Sequence, residues 1–131
     1  MKRFLKSTFL IAPLFSSLLV IGQNNQLLTS IPKTKEEYTA SEPYVINSIN
    51  WLETTPIDQE VDKRTSQKTL LLGWITISPE VTIDLDGKLT PFAKKNPELL
   101  IMFMGGWTRF VLQNSYSKDV VQGNLRVLKV Q

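Results

Sequence analysis

The stretch Asn96–Asn114, NPELLIMFMGGWTRFVLQN, is the longest apolar run outside the N-terminus and carries the chain's one Gly-Gly pair. Asn is a good N-cap, Pro is tolerated at the first helical position, and Glu in the first turn suits the positive end of the helix dipole. Three apolar stripes follow at spacings of three and four. They are Leu99, Phe103, Gly106, Phe110; Leu100, Met104, Trp107, Val111; and Ile101, Gly105, Thr108, Leu112. Only a narrow band through Glu98, Arg109 and Gln113 is polar, which predicts a helix buried over most of its circumference. The uncharged run between Glu98 and Arg109 is too short to cross a bilayer, which takes about 20 residues. The rival is a β-hairpin turning at Gly105-Gly106. Trp107–Leu112 does not alternate as a strand should, and the Asn-Pro-Glu start favours the helix.

Two glycines inside a helix cost about 1 kcal/mol each relative to alanine. A kink or tight packing against Trp74 or Trp51 is the simplest compensation, and a close helix crossing is a second. A ligand approaching the backbone is a third. In that last reading Gly105, Gly106, Trp107, Trp74 and Trp51 form the candidate binding set, an apolar pocket lined by aromatic rings. Aromatic residues at helical spacing more commonly fill a core.

The N-terminus has the pattern of a secretory signal peptide. Lys2, Arg3 and Lys6 precede the apolar Phe9–Ile21, and Val20-Ile21-Gly22 offers a cleavage site after residue 22. Pro13 interrupts the apolar run, which is short for a retained anchor, and the absence of cysteine excludes a lipoprotein anchor. Three of the fifteen basic residues lie in this segment, leaving twelve against twelve acidic ones. The pI of about 9.2 therefore describes the signal, and the remainder is close to neutral. A neutral chain without a basic stripe is a poor match for nucleic acid.

The chain has no cysteine and no histidine. Ser-His-Asp and Cys-His nucleophile systems cannot be built, and ordinary zinc, copper and haem ligation is excluded except through carboxylates, Met or Tyr. No phosphate-binding glycine motif is present, so no cofactor is expected. Without disulfides, stability must come from a core, which a chain of this length can bury.

Residues 23–42 are polar and mixed, and read as a flexible leader. A helical domain is expected over 43–131. Ser41-Glu42-Pro43 opens its first helix, with Val45, Ile49 and Leu52 on one stripe, and Thr54-Thr55-Pro56 ends it. Thr55 then caps a second helix over Pro56–Ile77, whose polar first half, Asp58–Lys68, is expected on the surface. Ser78-Pro79 ends that helix. Val81–Leu85 alternates as a short strand or extended connector, and Asp86-Gly87 is a turn signal. Thr90-Pro91 opens a short helix through Lys95, and Ser117-Lys118-Asp119 opens a last one. The fold expected is mainly α: a small bundle of four to five helices around a buried central helix, with a short extended connector.

Four segments together, WLETTPID (Trp51–Asp58), the Ser78-Pro79 break, KKNPELLIMFMGGWTRFVLQN (Lys94–Asn114) and GNL (Gly123–Leu125), carry a resemblance. The chain resembles small, signal-bearing hypothetical proteins of Bacteroidota-type bacteria. The resemblance implies export and a helical fold and adds no catalytic residue. Arg126–Gln131 departs from the group's pattern of a continuing helix.

Two further motifs are weak. Asp84-Leu85-Asp86-Gly87, aligned on a calcium loop, puts Thr82 and Ala93 where Asp and a bidentate Glu belong. Ser115-Tyr116-Ser117-Lys118 matches S-x-x-K, but the companion KTG and S-D-N motifs are absent. Three functions stay open. They are a non-enzymatic structural or interaction module with a protein partner, a binder of a small apolar ligand, and a hydrolase using carboxylates such as Glu53, Asp58 or Asp84.

Overall fold

Asn96 caps the central helix as its chemistry predicts: its side chain accepts from the Leu99 N–H, and Pro97 occupies the first turn. The computed structural model describes residues 25–84, 90–120 and 122–123. It places four helices among them: α1 (Lys35–Thr54), α2 (Val61–Ile77), α3 (Thr90–Lys95) and α4 (Pro97–Gln113). The predicted mainly helical class holds, and no strand occurs among the described residues. The count of four to five bundled helices does not, because three long helices make the packed body and α3 is a six-residue helix lying against α4. Of the last predicted helix, Asp119 caps the opening turn by accepting from the Gln122 N–H at 3.1 Å. The rest of it lies outside the described residues.

α1 starts eight residues before the expected Pro43. Thr34 accepts from the Glu37 N–H at 3.2 Å, and the Glu37 carboxylate returns to the Lys33 N–H at 2.7 Å. The Thr34-x-x-Glu37 box nucleates the helix. Pro43, on the exposed side, is carried inside it. The buried residues Tyr38, Ser41, Val45, Ser48 and Leu52 run at alternating spacings of three and four, one stripe facing the core. The Thr54-Thr55-Pro56 stop is where the sequence places it.

α2 starts at Val61, five residues later than expected. Pro56 and Gln59 close a separate turn, and Glu60 takes a left-handed conformation (φ 46°) that no helix can include. Its polar first half is not all on the surface, since Arg64 and Gln67 are buried with Leu71, Trp74 and Ile75. Ser78 ends α2, its N–H bonded to the Trp74 carbonyl, and its hydroxyl accepts from the Val81 N–H. Val81–Asp84 forms no strand, and of its residues only Val81 is fully buried. The Asp86-Gly87 turn lies outside the described residues.

α4 packs against both α1 and α2. Its middle, Met104–Thr108, is buried, whereas Leu99 is 40% exposed and Leu100–Phe103 are partly exposed. The helix is thus buried at the three-helix junction and less covered towards its start. Beyond it, Ser115 and Tyr116 are both left-handed (φ 53° and 58°), and this turn brings the Tyr116 hydroxyl to the Glu42 carboxylate at 2.8 Å.

Candidate functional site

The three tryptophans occupy three different settings, and no ring contact joins them among the described residues. Trp74 is sealed in the core at 1% exposure. Its indole N–H donates to the Ser41 hydroxyl at 2.8 Å, which donates in turn to the Tyr38 carbonyl. Trp107 lies between Phe103 and Phe110, ring centroids 6.4 and 6.3 Å away, and Gly123 of the C-terminal turn presses on its six-membered ring. Trp51 is half-buried on α1, with the Lys63 ammonium 4.7 Å above its ring.

Gly105 and Gly106 are both buried. The atoms nearest to Gly105 belong to neither Trp74 nor Trp51. A methyl placed there would stand 3.4 Å from Ile49 of α1 and 3.6 Å from Leu71 of α2, ordinary contact distances. The glycine sits at the junction of the three long helices with room for one carbon. Gly105→Ala is therefore expected to raise the urea midpoint, gaining up to about 1 kcal/mol of helix propensity. Gly105→Leu is expected to overpack the same junction and cost about 1–3 kcal/mol.

Among the described residues, a heavily bonded polar group was not visible as such in the sequence. Arg64 has a side chain only 4% exposed. It donates to the Leu52 and Thr55 carbonyls at 2.9 and 2.8 Å and forms an ion pair with Glu98. Those carbonyls lie at the C-terminal end of α1, and Glu98 lies in the first turn of α4, so the guanidinium joins two helix ends of suitable polarity. Lys68 adds a second cation to Glu98 at 2.8 Å. Burial alone pushes the Glu98 carboxyl up, but hydrogen bonds and charge from Lys68 and Arg64 outweigh it and hold the carboxyl below its ordinary range. About three turns further along the same face of α4, Arg109 donates to Glu53 at 2.6 Å and to Asn50 at 2.7 Å.

Part of the stretch expected as a flexible leader packs against the helices. Leu28, 2% exposed, sits in the groove between α1 and α2. Its N–H donates to the Ser48 hydroxyl at 2.9 Å, and its carbonyl accepts from the Gln67 amide at 3.0 Å. The Gln26 carbonyl accepts from Asn47 at 3.0 Å. Three residues further on, the Ile31 side chain fills the space left by the missing side chain of Gly73. Side chains of α1 and α2 thus bond to the main chain at Gln26 and Leu28, and two aliphatic residues anchor the segment. The polar composition of residues 23–34 hid this, although Leu27, Leu28 and Ile31 could have been noticed as its aliphatic residues.

Glu53 is occupied by Arg109, and Asp58 and Asp84 are exposed on separate connecting segments. Ser115 and Lys118 are both exposed, beyond the end of α4. Among the described residues no three acidic side chains converge as a metal site would require, and no helix is long and apolar enough to cross a membrane. No protein-family model, curated protein or solved structure matches the chain.

Proposed function

We propose that the protein is an exported, non-enzymatic helical module that works through contact with another protein. The observation that carries this is the use made of its least exposed charges. Among the described residues, the ion pairs Arg64–Glu98, Lys68–Glu98 and Arg109–Glu53 each join one helix to another. These charges hold helices in place instead of facing a cleft where a substrate would meet them. Export is supported by the basic and apolar pattern before Gln23, and by the resemblance to signal-bearing bacterial proteins of the Bacteroidota type. A nearly neutral chain after Gly22 speaks against nucleic acid as the partner.

An apolar-ligand role beside Gly105 and Gly106 has less support, because Ile49 and Leu71 already stand against Gly105. Native mass spectrometry of protein purified from its source tests the choice. The expected species lacks Met1–Gly22 and carries either nothing or a protein partner. A co-purifying small apolar molecule would favour the ligand role, and an intact N-terminus would reject cleavage.

A further inference from the structure

We propose that α3 and the first two turns of α4 form a lid that hinges on Gly105-Gly106 and is latched to the body by Glu98. The two halves of α4 are fastened differently. Beyond the glycines, Trp107, Thr108 and Val111 are buried, and Arg109 donates to Asn50 and Glu53 of α1. Just past the helix end, the Tyr116 hydroxyl donates to the Glu42 carboxylate. Before the glycines, Leu99 is exposed and Leu100–Phe103 are only partly covered. Over Pro97–Met104, Glu98 is the one side chain among the described residues that bonds to another helix, through Arg64 and Lys68 of α2. The short α3 adds no second fastening, because among the described residues it packs against no helix but α4.

Packing does not demand a glycine at the boundary between these halves. A methyl group at Gly105 would stand 3.4 Å from Ile49 and 3.6 Å from Leu71. What glycine supplies there is backbone freedom, and two in succession make the weakest point of the helix. Hinges of this kind are a few residues that absorb the change in backbone angles while the segments on either side move as units. Glu98 stands at the far end of the lid from the hinge. Arg64 keeps its bonds to the Leu52 and Thr55 carbonyls when Glu98 leaves, so the break falls between lid and body, and α1 and α2 stay joined. Opening uncovers Leu100, Ile101 and Phe103, which pack against the core when the lid is closed. The latch thus sets how much apolar surface the protein presents.

The chain has no cysteine, so introduced cysteines carry spin labels at chosen sites only. In the full-length chain, Thr65→Cys on α2 and Lys94→Cys on α3, both at exposed positions, measure the distance from body to lid. Thr65→Cys with Gln113→Cys, exposed at the end of α4, is the control pair across the fastened half. A minor open state holds on the order of 0.1–10% of molecules. Glu98→Gln removes the charge that Arg64 and Lys68 bind, and is expected to raise that population about tenfold, the scale of one hydrogen bond to a charged group. A longer Thr65–Lys94 distance should then grow in, with the Thr65–Gln113 distance unchanged. Adding Gly105→Ala should cut the open population about fivefold, the scale of the difference between glycine and alanine in a helix. An unchanged Thr65–Lys94 distance in Glu98→Gln overturns the latch, and lengthening of both distances together overturns the hinge. If Glu98→Gln loses its helical circular dichroism, relaxation dispersion of the backbone amides in the unaltered chain decides. Millisecond exchange at Ile101–Met104 that is absent at Phe110 and Val111 supports the lid. Exchange in both stretches, or in neither, overturns it.

Discussion

Trp74→Ala is expected to cost about 3–5 kcal/mol, the range for truncating a large buried aromatic residue. Trp74 is 1% exposed and packs at 5.4 Å against the ring of Tyr38. Truncation leaves a cavity that Val45, Ile49 and Leu71, already fully buried, have little freedom to fill. It also removes the donor to the Ser41 hydroxyl. Trp74→Phe separates the two effects. It keeps most of the volume and loses the hydrogen bond, so a smaller cost of about 1–2 kcal/mol is expected. Urea unfolding followed by circular dichroism reads both. Equal costs would mean that the hydrogen bond, and not the packing, dominates this site.

Arg64→Leu is expected to cost a similar amount, about 3–5 kcal/mol, because it removes one partner from a buried, hydrogen-bonded ion pair. The Leu52 and Thr55 carbonyls lose a donor each, and Glu98 keeps only Lys68. The pH dependence identifies the electrostatic part. The Glu98 carboxyl is held below its unfolded value of about 4.3. A group depressed in the folded state contributes stability that is fully present above its unfolded pKa. That contribution is lost as pH falls through the folded pKa. Glu98→Gln should therefore be less stable than the unaltered chain at pH 7, with the difference shrinking below about pH 4. A difference that is constant from pH 7 to pH 3 would show that the carboxylate charge is not what matters.

The central helix was legible because its signals are local. Asn96-Pro97-Glu98 starts it, the apolar stripes fill it, and both follow from residues within the segment itself. The stops at Thr55-Pro56 and Ser78-Pro79 were legible for the same reason. The start of α1 was misjudged because two local signals competed. Pro43 reads as a first helical residue, yet Thr34 and Glu37 form the stronger start, and Pro43 is accommodated on an exposed face. The start of α2 was misjudged because the left-handed turn at Glu60 has no glycine or asparagine to announce it.

What the sequence hid depends on distant partners. The main-chain and ionic bonds that bury Arg64 and Gln67 come from segments between 9 and 39 residues away. No periodicity in Asp58–Lys68 reveals them. The candidate tryptophans were legible as buried or half-buried rings, but their separation into three settings follows from the packing of three helices. The groove that holds Leu28 was missed because its floor is made of hydrophilic residues, Ser48 and Gln67, which composition assigns to the surface.

The central claim is that residues 26–31 complete the fold by filling the α1–α2 groove. The amide proton of Leu28, donated to a serine hydroxyl that is itself fully buried, reports this directly. Hydrogen exchange followed residue by residue on the full-length chain measures it. The account predicts that Leu28 is protected on the scale of the α1 core amides around Val45 and Ile49, and that Ser48→Ala lowers the protection selectively. Exchange of the Leu28 amide at the rate of an unstructured peptide, with α1 still protected, would contradict it.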